Sequence, residues 1–265
     1  MWKRKITPPT MWLPMLRCNS KFLIFLCTLG KRISHFFFPR VCVACGQDLP
    51  FDMKDFLCTT CKAQLMRPGP LICTRCGVEL PSGGAHCFAC RGSKEATYKC
   101  KLIRSAFVFN TPSRALVHAL KYQGADYVAP FMGHLMAERY KELPELQQAD
   151  LVIPVALFSK RQRRRGYNQS ELLARVFANE ALLALDTTSL VRTRDTISQT
   201  KLGRKGRLEN MTGAFTCKAP SCVKGKTVLL VDDVATTGAT LEGCAIALRE
   251  AGAKRVVAYT FAREN

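Results

Sequence analysis

The stretch Val228–Leu241, VLLVDDVATTGATL, carries the main signal for the fold of this chain. It opens with four uninterrupted apolar residues, as expected of a parallel strand that is buried on both faces. Two carboxylates, Asp232 and Asp233, follow, and then a small-residue turn and a helix with apolar residues at helical spacing. Gly252 closes that helix, and Arg255–Phe261 predicts the next strand. Open α/β sheets bind ligands at the carboxyl edge of such a unit.

The turn after the acidic pair suits a phosphate group. Its small residues let backbone N–H groups approach an anion, and the start of a helix adds partial positive charge. The two carboxylates would repel a phosphate, so we assign them to vicinal sugar hydroxyls or to a hydrated Mg²⁺ ion. Together these features predict a ribose 5-phosphate ligand. The turn comprises Ala235, Thr236, Thr237, Gly238, Ala239 and Thr240.

Two other interpretations of this stretch compete with a ligand site. An apolar run that ends in two aspartates also occurs in ATPases, but that class needs an upstream G-x-x-x-x-G-K-[ST] loop. The chain has no such loop. In the other interpretation the run is an ordinary core strand that ends in a solvated turn, and the ordered succession of strand, acids, small turn and helix disfavours it.

The composition permits one α/β domain and a small additional module. The chain has 265 residues and a formal net charge of +20. If eight cysteines held two zinc ions as thiolates, each site would add 2 − 4 = −2 and leave about +16. Such a basic chain favours nucleic acid, pyrophosphate or an anionic membrane surface, while solubility alone is the simpler alternative. We predict a basic extension (1–41), a zinc-binding module (42–95) and an α/β domain (100–265).

The extension over residues 1–41 contains many Lys and Arg residues and no acidic residue. Its apolar run, Phe22–Leu29, is too short to span a bilayer, and no small-x-small cleavage site follows it. We interpret it as an amphipathic or partly disordered arm. A membrane-surface helix and a misassigned start, with Met11 or Met15 as the true one, stay open. We therefore predict no integral membrane segment and a cytoplasmic location, with peripheral attachment at the inner membrane as an alternative.

Four CxxC pairs in one short segment predict zinc binding. Each CxxC turn points two sulfur atoms at one position, and two turns complete a tetrahedral four-thiolate site. Disulfides are the alternative, but the rest of the chain has the character of a cytosolic protein. We favour sites built from neighbouring pairs, although an interleaved arrangement is open, and such closed sites serve structure or recognition of a nucleic acid or partner protein, not catalysis. The candidate ligands are Cys42, Cys45, Cys58, Cys61, Cys73, Cys76, Cys87 and Cys90.

A second buried strand, Leu151–Leu157, is followed at once by the basic segment Ser159–Gln169, SKRQRRRGYNQ. Its five cations therefore lie at the predicted ligand edge, where they suit either a small anion or a nucleic acid. His118, in the preceding helical segment, is interpreted as a packing or surface residue. The remaining predicted elements are a strand over Ile103–Phe109 and helices over Ser113–Tyr122, Ala129–Tyr140 and Ser170–Leu185.

VLLVDDVATTGATL closely resembles the phosphoribosyl pyrophosphate (PRPP) motif of type I phosphoribosyltransferases. With the CxxC pairs, LKYQG around Lys121, RRGYNQS from Arg164 and the R-x-R-x-T-x-x-Q pattern from Arg192, the chain resembles the ComF/GntX family from Cys42 onward. This implies an α/β, type I phosphoribosyltransferase-like fold: an open, mostly parallel sheet flanked by helices, with a small N-terminal four-cysteine zinc-ribbon-type module. The resemblance adds Lys121, Arg165, Gly166, Asn168 and Gln169 to the PRPP-binding residues.

The resemblance implies roles for these residues in phosphoribosyl transfer. The turn would hold the 5-phosphate, while Asp232 and Asp233 would bind the ribose hydroxyls directly or through Mg²⁺. Arg165, with Arg192 or Arg194, would neutralise the pyrophosphate leaving group. The polar segment that continues through Thr196, Gln199, Leu202, Arg207 and Asn210 is a candidate lid. No sequence pattern indicates a base-recognition element, so the acceptor stays unnamed.

The ComF branch also implies DNA uptake. In that second hypothesis the chain binds single-stranded DNA along its zinc module, basic segment and basic arm, with competence or DNA-uptake proteins as partners. A degenerate transferase that retains only PRPP binding is a third possibility. The expected cofactors are structural Zn²⁺, and Mg²⁺ bound with PRPP.

Overall fold

The computed structural model describes residues 40–91, 98–195, 211 and 213–264. Its main sheet has four parallel strands in the order β1-β6-β5-β2, and a separate antiparallel pair, β3-β4, lies between β2 and β5 in the chain. The open, parallel main sheet was predicted from the sequence. The strands are β1 (Cys100–Val108), β2 (Leu151–Pro154), β3 (Leu190–Arg192), β4 (Phe215–Cys217), β5 (Thr227–Ala235) and β6 (Arg255–Arg263).

Helices follow most of these strands and cover both faces of the sheet. Two short ones belong to the cysteine-rich segment: α1 (Thr59–Ala63) and α2 (Phe88–Arg91). The others are α3 (Thr111–Tyr122), α4 (Ala129–Tyr140), α5 (Ser159–Arg165), α6 (Gln169–Glu180), α7 (Pro220–Val223) and α8 (Ala239–Glu250). Within the described part of the chain, none of these helices is both long and apolar enough to cross a membrane.

Strand β5 runs through the centre of the core. Because side chains alternate along a strand, Leu229 and Val231 pack into an apolar cluster with α3, α4 and α6. Val228 and Leu230 pack into a second cluster, which includes the apolar face of α8. This two-sided burial is the reason for the uninterrupted apolar run. It also fixes the position of the two aspartates and of the small-residue turn that follow the run.

The boundaries of all four predicted strands differ from the structure: β1 already begins at Cys100, β6 extends to Arg263, and the differences in β5 and β2 bear on the ligand edge. Strand β5 continues through both aspartates to Ala235, because β6 runs beside it and Ala235 pairs with Arg263. The acids therefore lie inside the last part of the strand, not after it. Strand β2 ends at Pro154, three residues before the predicted end at Leu157, and the chain then turns towards α5.

The predicted helix over Ser170–Leu185 is too long. Helix α6 ends at Glu180, and Leu182 adopts a left-handed conformation with φ 55°. Leu185 then forms a parallel bridge with Val152 on the edge strand. The helix ends early because Leu185, at the end of the predicted helix, instead extends the edge of the sheet.

Candidate functional site

A cleft of about 440 Å³ opens at the carboxyl edge of the main sheet, next to the start of α8. It lies where parallel α/β sheets place their ligands. Residues from α3, α5, the start of α6, β3, β5 and the start of α8 line it. Its charged lining includes Lys121, Arg161, Arg165, Arg192, Asp232 and Asp233.

The two aspartates form the floor of this cleft. Their residues are 8% and 2% exposed, yet both line the cleft. An oxygen of Asp233 lies 2.9 Å from Lys121 Nζ, and Asp232 accepts a hydrogen bond of 2.6 Å from Ser170 Oγ. Buried carboxylates need such partners, so their low exposure reflects a polar floor and not an apolar core.

Burial and mutual repulsion change the protonation of this group. Burial, together with the Asp233 carboxylate, raises the pKa of Asp232 to about 7. Burial lowers the pKa of Lys121, but the carboxylates of Asp233 and Asp232 more than offset this and raise it above its ordinary value. Lys121 is therefore the charged counter-ion of the pair, and the raised pKa of Asp232 reflects the repulsion that remains.

The small-residue turn leads from β5 into α8. Gly238 has φ 76°, a left-handed conformation that favours glycine, and α8 begins at the next residue. Thr236 and Thr240 line the cleft. Thr237 Oγ1 accepts a local hydrogen bond of 3.4 Å from the backbone N–H of Ala239. The turn thus brings two hydroxyl side chains and the start of a three-turn helix to one side of the acidic floor.

Arginines from two elements provide positive charge to the cleft. Arg161 and Arg165 come from α5, and Arg192 comes from β3. Burial, and then the nearby Arg161, lower the pKa of Arg192. Such desolvated, mutually repelling cations gain from a bound anion. Arg194, predicted with Arg192, is not among the cleft-lining residues, and its backbone carbonyl accepts a 3.4 Å hydrogen bond from Arg192 Nε.

Gly166 and Asn168 do not line the cleft but shape the chain beside it. Gly166 ends α5 with φ 89°. Asn168 caps α6: its Oδ1 accepts from the Ser170 N–H at 3.2 Å, while its Nδ2 donates to the Val155 carbonyl at 3.1 Å. Gln169 lines the cleft and accepts a hydrogen bond from Arg165.

Ser170 ends the RRGYNQS segment but was not among the predicted site residues, and it makes the direct contact with Asp232. The sequence signal that could have found it is the Asn168 cap, since a cap fixes which residues open the helix. The predicted lid residues Thr196, Gln199, Leu202, Arg207 and Asn210 lie outside the described residues, as does the arm up to residue 39.

The eight cysteines form two groups, and each group contains two neighbouring pairs, as we favoured. Within each group the sulfur atoms lie within 4.8 Å of one another. The sulfurs of Cys45 and Cys58 are 3.8 Å apart, and those of Cys76 and Cys87 are 3.6 Å apart. A tetrahedral zinc ion with Zn–S bonds of about 2.3 Å needs a sulfur spacing of about 3.8 Å. Both groups therefore fit a zinc ion held by four thiolates.

Comparison with known proteins agrees with this geometry. The Phosphoribosyl transferase domain model matches residues 152–265, and the Double zinc ribbon domain model matches residues 33–91. The DNA utilization protein YhgH of Salmonella typhimurium is 33% identical over 158 residues, which cover 58% of this chain and 69% of that protein. The chain belongs to the ComF/GntX family. The Competence protein F of Haemophilus influenzae is 29% identical over 231 residues, 86% of this chain and 98% of that protein.

Solved structures give a more distant likeness. A purine phosphoribosyltransferase from Pyrococcus horikoshii is 18% identical, with a TM-score of 0.29, over 51% of this chain and 83% of that chain. That likeness is too weak to inform activity. The parallel sheet and the two domain matches establish the phosphoribosyltransferase-like fold with an N-terminal double zinc ribbon, and the two cysteine groups are its structural Zn²⁺ sites.

Proposed function

We propose that this ComF/GntX family member binds a ribose 5-phosphate unit, in the form of PRPP with Mg²⁺, in the cleft at the end of β5. The observation that carries this proposal is the acidic pair on the cleft floor, which shares one cleft with threonines of the small-residue turn and with arginines of α5 and β3. A ligand with a phosphate, a vicinal diol and a second anionic group matches that combination of groups.

Each part of the cleft would contact a different part of the ligand. The turn from Ala235 to Thr240 would hold the 5-phosphate through backbone N–H groups and threonine hydroxyls. Asp232 and Asp233 would accept hydrogen bonds from the ribose hydroxyls. Arg165 and Arg192, with Arg161, would neutralise the pyrophosphate.

The acidic pair also fits the magnesium ion that commonly accompanies a diphosphate. Mg²⁺ prefers oxygen ligands and keeps several of its waters, so one or two carboxylates suffice to hold it. When bound, it would supply charge neutralisation at the diphosphate. Lys121 Nζ already lies 2.9 Å from Asp233, and it would be the group that yields to a cation or to the diol.

Transfer of the phosphoribosyl group is the reaction class that this site would support. The cleft-lining arginines would neutralise the charge of a leaving pyrophosphate, and no protein nucleophile is required when the acceptor provides the attacking nitrogen. The family relationship supports this class, because the matching domain is a phosphoribosyl transferase domain.

Isothermal calorimetry with PRPP and Mg²⁺ tests the binding proposal. The double variant Asp232→Asn with Asp233→Asn should lose at least about tenfold in affinity, because charged hydrogen bonds contribute about 1.5–3 kcal/mol each. Asp126→Asn makes the same chemical change on an exposed residue outside the cleft lining and should bind as the unmodified chain does. Equal affinity in the double variant and the unmodified chain would overturn the assignment.

Single-stranded DNA is a second candidate ligand, favoured by the surface of α5. Lys160, Arg163 and Arg164 are exposed on this helix, next to the cleft-lining Arg161 and Arg165. Such a cluster binds phosphate backbones irrespective of sequence. The printed names of the relatives, DNA utilization protein and Competence protein, agree with it. Competence or DNA-uptake proteins at the cytoplasmic side of the inner membrane are the partners that this function implies.

Salt dependence of oligonucleotide binding tests this second candidate. Arg163→Ala with Arg164→Ala should reduce the slope of log affinity against log salt by about 1–2, since each lost phosphate contact removes about 0.7. Lys141→Ala with Lys254→Ala removes the same charge from exposed positions outside the cleft lining and α5, and should leave the slope unchanged. Equal slopes in the two double variants would exclude α5 as the DNA-binding surface.

A further inference from the structure

One wall of the cleft is not assigned a contact with the sugar phosphate in the proposed function. This wall is formed by the side of α3 that carries Arg114, His118 and Tyr122, together with Phe109 and Glu264. Tyr122 is 70% exposed although it lines a cleft, and it directly follows Lys121, whose side chain reaches Asp233. A large aromatic ring at this place offers a contact surface to a ligand that also occupies the acidic floor.

Arginine side chains lie beside the aromatic rings on this wall. The His118 and Tyr122 ring centroids are 5.0 Å apart, with planes tilted by 46°. The Arg165 guanidinium lies 5.9 Å from the Tyr122 ring centroid. Nearby, the Arg114 guanidinium lies 5.4 Å from the Phe109 ring centroid. Arginine and histidine beside an exposed tyrosine form the kind of surface on which planar heterocycles stack.

Glu264 provides an acceptor on the same wall. Its backbone N–H donates to the Ala235 carbonyl at 3.0 Å, which fixes this residue beside the end of β5. A carboxylate accepts hydrogen bonds from ring N–H or exocyclic amino groups, and His118 offers a ring nitrogen that can donate or accept. The wall therefore combines a stacking surface with polar groups suited to the edge of a base.

We propose that this wall is a nucleobase ledge: a planar nitrogen heterocycle stacks on Tyr122 and directs its polar edge towards Glu264 and His118. The ledge rests on the proposed function, because it assigns a place to a base attached to, or destined for, the ribose on the acidic floor. Two sources share this chemistry. One is a free or mononucleotide base, and the other is a base of a single-stranded DNA chain.

Calorimetry with ribose 5-phosphate and with nucleoside 5′-monophosphates separates the ledge from the sugar-phosphate site. Adenosine and uridine monophosphates should bind about tenfold more tightly than ribose 5-phosphate, since stacking of one base contributes that order of affinity. Tyr122→Ala should abolish the difference, while Tyr122→Phe, which keeps the ring, should preserve it. Both variants should bind ribose 5-phosphate within about twofold of the unmodified chain, because the proposal assigns the ring a contact with the base and none with the sugar phosphate.

Tyr127→Ala is the matched control, because Tyr127 is also an exposed tyrosine but does not line the cleft. It should leave every affinity unchanged. Equal binding of ribose 5-phosphate and the monophosphates by the unmodified chain would overturn the ledge and leave the sugar-phosphate site standing. Absence of ribose 5-phosphate binding would overturn the sugar-phosphate site. Monophosphate binding that falls in Tyr122→Ala would still support the ledge in that case.

An oligothymidylate titration distinguishes the two sources of the base. Weaker oligonucleotide binding by Tyr122→Ala, with Tyr122→Phe unaffected, would assign the ledge to single-stranded DNA as well. Unchanged oligonucleotide binding, together with the loss of monophosphate discrimination, would restrict it to small ligands. If Tyr122→Ala weakened neither oligonucleotide binding nor the preference for monophosphates, the proposal would be overturned.

Discussion

The two cysteine groups have nearly the same spacing in the sequence but very different surroundings. The first group (Cys42, Cys45, Cys58 and Cys61) packs with the α4 side of the core, where Phe56 lies 6.1 Å from Phe131. The second group (Cys73, Cys76, Cys87 and Cys90) packs with β1 and α8. The N–H of Ile103 on β1 donates at 2.8 Å to the carbonyl of Arg75, which lies between two of these cysteines.

An ion pair beside each group shows how far the two differ. Next to the first group, Lys62 and Asp55 are 2.6 Å apart, with side chains 45% and 29% exposed. Next to the second group, Arg75 and Glu242 are 3.0 Å apart, with side chains 9% and 6% exposed. Exposed pairs contribute little to stability, whereas breaking a buried pair leaves an uncompensated charge.

Glu242 lies in the first turn of α8, the helix that follows the small-residue turn. Besides Arg75, it accepts hydrogen bonds from the backbone N–H groups of Lys99 at 2.6 Å and Cys100 at 3.2 Å. Arg75 in turn donates to Cys90 Sγ at 3.6 Å. The second zinc site is therefore connected through one carboxylate to the proposed ligand site, and the comparison teaches that similar zinc motifs can differ in what they support.

The largest expected effect is loss of the second zinc site. Cys73→Ser with Cys76→Ser should remove one zinc ion per chain, lower the melting temperature by more than about 10 °C and weaken PRPP binding at least tenfold, because a structural zinc site contributes folding energy directly. Metal analysis, thermal denaturation and calorimetry measure the three changes. Cys42→Ser with Cys45→Ser should also lose one zinc ion but retain PRPP affinity. Equal loss of PRPP affinity in both variants would remove the distinction between the sites.

The buried ion pair should have the next largest effect. Arg75→Met should lower the free energy of unfolding by about 3–5 kcal/mol, because Glu242 is left as an uncompensated buried charge. Lys62→Met, beside the first group, should cost less than about 1 kcal/mol. Urea denaturation gives both values.

Adding Glu242→Gln to Arg75→Met should recover part of the lost stability, since it removes the uncompensated charge. This double variant separates the ion pair from simple loss of packing. If Arg75→Met cost no more than Lys62→Met, the proposed link between the second site and α8 would be without support.

Two glycines allow a finer test of the same difference. Gly77 and Gly46 each follow the second cysteine of a CxxC pair, with φ of 71° and 74°. A Cβ on Gly77 would lie 2.7 Å from the Ile103 carbonyl oxygen, whereas one on Gly46 would meet nothing within 4 Å. Gly46→Ala should therefore cost about 1 kcal/mol for backbone strain alone. Gly77→Ala should cost about 2–3 kcal/mol, because the contact with β1 adds overpacking. Denaturation of both variants at equal zinc content measures the difference.

The smallest expected effect is a pH dependence at the cleft. The pKa of Asp232 is raised to about 7 in the folded chain, so ionisation of this carboxyl destabilises the fold as pH rises from about 4 through 7. Asp232→Asn removes this contribution and retains an acceptor for Ser170. The stability gained by Asp232→Asn should thus be about 1–2 kcal/mol larger at pH 8 than at pH 5.5.

Measuring the stability gained by Asp232→Asn at both pH values in zinc-site variants extends the comparison of the two zinc sites. The pH-dependent gain should persist in the Cys42→Ser background and diminish in the Arg75→Met background, where the cleft is less well supported. A gain that does not vary with pH in the unmodified background would show that Asp232 ionises normally in the folded chain.

Local patterns in the sequence predicted the sheet, the small-residue turn, the zinc pairs and helix α4, because each depends on the spacing of neighbouring residues. The partners of the acidic pair could not be predicted in this way. Lys121 and Ser170 meet Asp233 and Asp232 only because α3 and α6 end and begin at the same edge of the sheet. Glu242 gave no signal either, since an acidic residue in the first turn of a helix is ordinary.

The hydrogen bonds around Asn168 have a consequence for genetic screens. The Val155 carbonyl, the Asn168 amide, the Ser170 N–H and hydroxyl, and Asp232 form one continuous chain of contacts from the edge strand to the central one. A variant at Asn168 would consequently be recovered as inactive although its side chain does not line the cleft. A selection for loss of the proposed function would then mark this asparagine as strongly as it marks the aspartates, and only direct ligand titration would separate the two classes.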